Sequence, residues 1–177
     1  MTLIQSHAVI VQLLYYLKND VRSVCKYWNH TKSIQVHTLK GQNITDEAIE
    51  KFAHLFPNVT DINLDCNCKI TNNIIQHLSS YSNLCNISLA NTSITSTGII
   101  QIGVCINVQS INLENCTIDC WDGKCFKSLA NCPKLTSINI SKTSINDQMM
   151  FNLVDSCPKL TCINLKNCYN ITQYNLL

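Results

Sequence analysis

The sequence predicts an α/β solenoid: short parallel strands on a concave wall, helices outside, and a helical cap at the amino-terminal end. Three observations carry this. An apolar pattern returns from Ile34 to the end of the chain at intervals of about 25 residues, a length suited to stacked strand–turn–helix units. Within each copy, two apolar residues stand two apart, the alternation of a short strand with one buried face. Beyond each strand, apolar residues recur at helical spacing. No such unit can bury its own apolar side, but stacked units close one another's interiors.

Taken in order, residues 1–32 do not repeat. They read as two helices, roughly residues 7–17 and 21–29, that cover the first open face of the stack. Residues 33–177 then hold about six repeats. The first copy is degenerate, starting at Ile34 with His37 and Leu39 as its strand pair. The others start at Val59, Leu84, Val108, Leu135 and Leu160, with the pairs Ile62/Leu64, Ile87/Leu89, Ile111/Leu113, Ile138/Ile140 and Ile163/Leu165. A few residues later come the anchors Ile44, Ile70, Ile94, Ile118, Ile145 and Ile171, followed by Thr45, Thr71, Thr95, Asp119, Asn146 and Thr172. Those polar side chains are suited to cap the amides of a following helix. Ile49, Phe52 and Ala53 mark one such helix, Ile74, Ile75 and Leu78 another, and Met149, Met150 and Leu153 a third.

The copies resemble leucine-rich repeats, in particular the cysteine-containing subfamily. That family places Cys or Asn just past the strand, where Asn67, Thr92, Cys116, Thr143 and Cys168 stand here. It places another Cys at the end of the helix, matched by Cys105, Cys132 and Cys157, with Phe56 and Tyr81 in the earlier copies. Small hydrogen-bonding side chains at a sharp bend satisfy backbone groups inside it. In the cap, Val24-Cys25-Lys26-Tyr27-Trp28 follows Leu13-Leu14-Tyr15-Tyr16-Leu17. This resembles the end of an F-box leading into leucine-rich repeats. The resemblance implies that Leu13, Leu14, Leu17, Val24 and Trp28 contact the Skp-family adaptor of a cullin–RING ubiquitin ligase while the repeats hold a substrate. Two features depart from it: Gln5 and Ser6 stand where the usual Leu-Pro opening falls, and the link from Leu17 to Val24 is short. Without the resemblance the same segment is a plain cap, and both readings stay open.

Composition narrows the function. The 177 residues carry 13 Lys and Arg against 11 Asp and Glu, and Arg22 is the single arginine. That disfavours a nucleic-acid binder, which needs a basic stripe. The apolar run from Ala8 to Leu17 is far shorter than a membrane span, and no cationic segment or cleavage site frames it as a secretory signal. A cytoplasmic or nuclear protein is expected, its 12 cysteines held as reduced, weakly polar residues.

Catalytic signatures are missing from the sequence. The histidines are scattered, no glycine-rich phosphate loop occurs, and no cofactor is called for. The unit starting at Val108 is the longest and contains Cys120, Trp121, Asp122, Gly123, Lys124 and Cys125. Of Cys116, Cys120, Cys125 and Cys132 only some have the two-to-four-residue spacing of zinc ligands, and Cys116 and Cys132 already have repeat roles, so no metal is expected. A bulged loop is expected instead, with Gly123 at positive φ and Trp121 as an anchor for a partner.

Between the buried strand residues, side chains should face the concave wall. One column reads Thr38, Asn63, Ser88, Asn112, Asn139 and Asn164. Its neighbours read Val36, Asp61, Asn86, Ser110, Ser137 and Cys162, and Lys40, Asp65, Ala90, Glu114, Ser141 and Lys166. Such a surface suits a protein segment better than a small apolar ligand, and Asp61, Asp65 and Glu114 mildly favour a basic one. The expected function is a non-catalytic protein-binding module, either a ligase substrate receptor or a stand-alone scaffold. The final strand near Ile163 is expected to be an edge open to self-association.

Overall fold

The computed structural model describes residues 38–120 and 122–172. The expected cap and its residues Leu13, Leu14, Leu17, Val24 and Trp28 lie outside these, as does Trp121. The described chain is α/β: six strands form one all-parallel open sheet, in chain order, with a helix between each neighbouring pair. The order is β1 (Thr38–Lys40), α1 (Asp46–Leu55), β2 (Asp61–Asn63), α2 (Ile74–Leu78), β3 (Asn86–Ser88), α3 (Ser96–Ile102) and β4 (Ser110–Asn112). A 3-10 helix (Lys124–Asn131), β5 (Ser137–Asn139), α4 (Asp147–Ser156) and β6 (Cys162–Asn164) complete it. No helix among the described residues is long and apolar enough to cross a membrane.

The strands pair without offset. Ile62, Ile87, Ile111, Ile138 and Ile163 are successive partners, and the first four are at most 2% exposed. Leu64, Leu89, Leu113 and Ile140 lie buried beside them, against Ile70, Ile94, Ile118 and Ile145 from the turns and Ile49, Ile75, Ile99, Phe126 and Leu153 from the helices. These residues belong to one continuous core, so no unit's interior is closed without its neighbours.

The first copy differs from the sequence reading by two residues. Leu39, not His37, pairs with Ile62, so Thr38 stands beside Asp61, and Lys40 beside Asn63. Leu39 is fully buried and supplies the first rung, with Gly41 where later copies have leucine. A two-residue shift preserves which face each side chain occupies, which is why alternation alone could not detect it.

Past each of five strands the chain bends through a residue in the left-handed region: Cys66, Asn91, Asn115, Lys142 and Asn167, with φ between 55° and 60°. The next residue turns inward. Asn67 is fully buried, its Nδ2 donating to the carbonyls of Ile44 (2.7 Å) and Gly41 (3.2 Å) while its Oδ1 accepts from the Lys69 amide. Cys116 and Cys168 direct their thiols at the carbonyls of Leu89 and Ile140, each at 3.1 Å. Thr92 and Thr143 donate to those same two carbonyls at 2.6 Å. At the helix ends, burial pushes the Cys105 thiol up to about 12 and those of Cys132 and Cys157 up to about 11. They are therefore protonated at neutral pH, and the Cys132 thiol contacts the Ile102 carbonyl.

The expected caps are met in part. Thr45, Thr95 and Asn146 accept from the amides of Ala48, Thr97 and Met149. Asp119 does not start a helix: the 3-10 helix begins at Lys124, just after Gly123 at φ 65°. The positive φ expected at Gly123 is met.

Candidate binding face

The face of the sheet opposite the helices is lined by short polar side chains. One row holds Thr38, Asp61, Asn86, Ser110, Ser137 and Cys162; the other holds Lys40, Asn63, Ser88, Asn112, Asn139 and Asn164. Beyond the strands, Asp65, Glu114 and Lys166 continue the surface, but Ala90 and Ser141 do not. Both are buried, so that expected column is interrupted at two places.

The asparagines at the strand ends have a structural duty. In Asn63, Asn112, Asn139 and Asn164 the Oδ1 accepts from the amide two residues on, in Asp65, Glu114, Ser141 and Lys166, at 3.0–3.2 Å. This local bond closes the bend after each strand, as Asn side chains commonly do. It leaves each Nδ2 to act sideways. Asn112 donates to Ser88 at 2.9 Å, and Asn139 to Glu114 at 3.3 Å.

The carboxylates are bonded within the chain. Asp61 accepts from Asn86 Nδ2 at 2.6 Å and from the Thr60 hydroxyl at 2.5 Å. One oxygen of Asp65 accepts from the Ser88 hydroxyl at 2.6 Å and the Ala90 amide at 2.8 Å. Glu114 receives Lys142 Nζ at 2.7 Å. Bonding to Lys142 and then to Asn139 holds the Glu114 carboxyl below its ordinary value, and Glu114 in turn raises Lys142. Lys142 escaped the sequence reading because it stands past the strand, at the left-handed bend. The acidity expected to favour a basic partner is thus partly neutralised, and the face presents bonded polar groups rather than bare charge.

Of the sequence-assigned wall residues, the structure brings together Asp61 with Asn86, Asp65 with Ser88, Ser88 with Asn112, and Glu114 with Asn139. Asn164 and Lys166 lie at the far edge, exposed. Among the described residues, no three His, Cys, Asp or Glu side chains are placed to hold a metal ion. No family model matches the chain, and neither does any curated protein.

Proposed function

We propose that this chain is a non-catalytic protein-binding module: a leucine-rich repeat solenoid of the cysteine-containing type, whose open sheet face is the concave wall that holds a partner protein. The single observation carrying this reading is an all-parallel, in-register sheet with one face packed on the core and the other left to short polar side chains. Parallel sheets are normally covered on both faces. An uncovered one, stiffened by bonds between its own side chains, is a preorganised surface, and binding to it orders few rotamers. Its donors and acceptors suit the backbone and polar side chains of a protein segment.

Within that reading, the chain serves as a substrate receptor of an SCF-type ubiquitin ligase in the cytoplasm or nucleus. Residues 1–32 act as the F-box, Leu13, Leu14, Leu17, Val24 and Trp28 meet a Skp-family adaptor, and Trp121 adds an anchor outside the sheet. The support is the Val24-to-Trp28 motif standing directly ahead of the repeats. A pull-down of the purified full chain with the adaptor tests it. Retention, lost on Trp28→Ala or Leu17→Asp in variants with unchanged circular dichroism, supports the ligase reading. A folded chain that fails to retain the adaptor overturns that part and favours a stand-alone scaffold. The wall is tested separately with Ser137→Arg, which should abolish the partner capture shown by the wild-type chain without unfolding the protein.

A further inference from the structure

The outer side of β6 carries a row of unpaired backbone groups beside an open apolar end. Within the sheet, amides at the end of each strand donate to the next unit. Leu113 donates to the Asn139 carbonyl and Asn115 to Ser141, then Ile140 to Asn164 and Lys142 to Lys166, at 2.8–3.1 Å. The Thr136 carbonyl receives the amides of Thr161 and Cys162. One unit later the corresponding groups are the amides of Leu165 and Asn167 and the carbonyl of Thr161, and they meet no partner among the described residues. By the alternation of the ladder, the N–H and C=O of Ile163 point the same way. The apolar layers are open at the same end. Leu135, Ile138, Ile140 and Ile145 are at most 1% exposed, whereas Leu160, Ile163, Leu165 and Ile171 are only partly buried. Counted from their first residues, Asp46 and Asp147, Glu50 and Ala53 of α1 correspond to Phe151 and Val154 of α4. Glu50 meets His77 of α2 at 4.0 Å and Ala53 is 5% exposed, but Phe151 and Val154 are 52% and 47% exposed.

We propose that this edge is the interface of a homodimer, in which the β6 strands of two copies pair antiparallel about a two-fold axis through Ile163. A second copy is the occupant because the edge is complementary to itself. In that register Ile163 exchanges both backbone bonds with Ile163 of the second copy, and each Leu165 amide meets the Thr161 carbonyl opposite. Cys162 stands opposite Asn164, Lys166 opposite Leu160 and Lys159 opposite Asn167, so neither lysine faces a positive charge across the pair. Antiparallel strands at the edge of an otherwise parallel sheet are common. The axis runs perpendicular to the sheet, so both polar faces stay on one side. On the other, Ile163 and Leu165 of the two copies come together, and the α4 helices bring Phe151 and Val154 to the same seam. A pair of such short strands is marginal alone, and this apolar closure supplies the rest of the association.

The test is sedimentation equilibrium of the full chain over a concentration series, with reductant present so that no disulfide through the exposed Cys162 contributes. The weight-average mass should rise from one chain to a plateau at two. Amide hydrogen exchange should slow at Ile163 and Leu165 in the concentrated sample relative to the dilute one. Cys162→Lys sets two like charges on one face close to the axis and should weaken the dimer by roughly tenfold or more. Gln101→Lys makes the same charge change on α3, away from the edge, and should leave the dissociation constant unchanged. Both positions are exposed, so both variants should keep the wild-type circular dichroism. The mass of a single chain at every concentration overturns the proposal, as does a dimer that Cys162→Lys leaves as tight as the wild type. A mass that climbs past two chains without a plateau, the mark of head-to-tail stacking, overturns it equally.

Discussion

Cys66, Asn91, Asn115, Lys142 and Asn167 adopt the same left-handed conformation at the same place in successive units. Asparagine tolerates it; cysteine and lysine do so at a cost of about 1–2 kcal/mol relative to glycine. Cys66 is exposed, so its side chain can be varied without disturbing the core. Cys66→Val, which adds a β-branch at this positive φ, should lower unfolding free energy while Cys66→Gly leaves it unchanged or raised, as measured by urea titration. Glu114 gives a pH prediction. Because Lys142 and Asn139 lower its folded-state value, its contribution is complete above the unfolded carboxylate value near ~4.3 and disappears as pH falls through the folded one. A carboxyl-carbon NMR titration should find Glu114 below the ordinary glutamate range, and Lys142→Met should move it back up. The asparagines at three bends were a readable signal for the left-handed turn, whereas Cys66 and Lys142 carry none. Their conformation is imposed by the flanking strands.

At the scale of elements, the strand-to-helix turns are tied to one another by a ladder that local patterning does not reveal. Asp46 accepts from the amide and hydroxyl of Thr71, Asn72 pairs with Thr95, Ser96 with Asp119, and Asp147 accepts from the amide and hydroxyl of Thr172. Each joins residues one repeat apart, so a cap in one unit is completed by the next. The sequence made the caps legible as local signals, but their second partners lie about 25 residues away and emerge only on stacking. The insertion before the 3-10 helix replaces this clasp with a different contact: Asn152 Nδ2 donates to the Asp122 carbonyl at 2.5 Å. A methyl on Gly123 would stand 2.8 Å from the Met149 Cα and demand a left-handed alanine. Gly123→Ala should therefore destabilise by roughly 1–2 kcal/mol or more, and amide exchange should quicken first in residues 122–131, with β1 and β2 unaffected.

For the molecule as a whole, the period, the strand residues and the buried anchors were all readable, because stacking needs the same apolar positions in every unit. The first copy was misplaced by two residues because Gly41 leaves no leucine to mark its register. The polar face was legible as a face, but not as a network, since Asn139, Glu114 and Lys142 meet only when two units lie side by side. Position along the stack also sets how much each rung contributes. Ile111 is 1% exposed between two neighbours, whereas Ile163 is only partly buried at the edge strand β6. Ile111→Ala should lower stability by about 2–5 kcal/mol, and Ile163→Ala by clearly less, in the same urea titration.

The most direct measurement is a methyl–methyl NOE map of the full chain labelled at isoleucine Cδ1. Adjacent parallel strands run about 4.8 Å apart, so strong cross-peaks should link Ile62 to Ile87, Ile87 to Ile111, Ile111 to Ile138, and Ile138 to Ile163, in that order. Non-adjacent members of the series should show only weak peaks or none. Missing sequential cross-peaks, or strong ones that skip a unit, would contradict a shared interior beneath a single polar face.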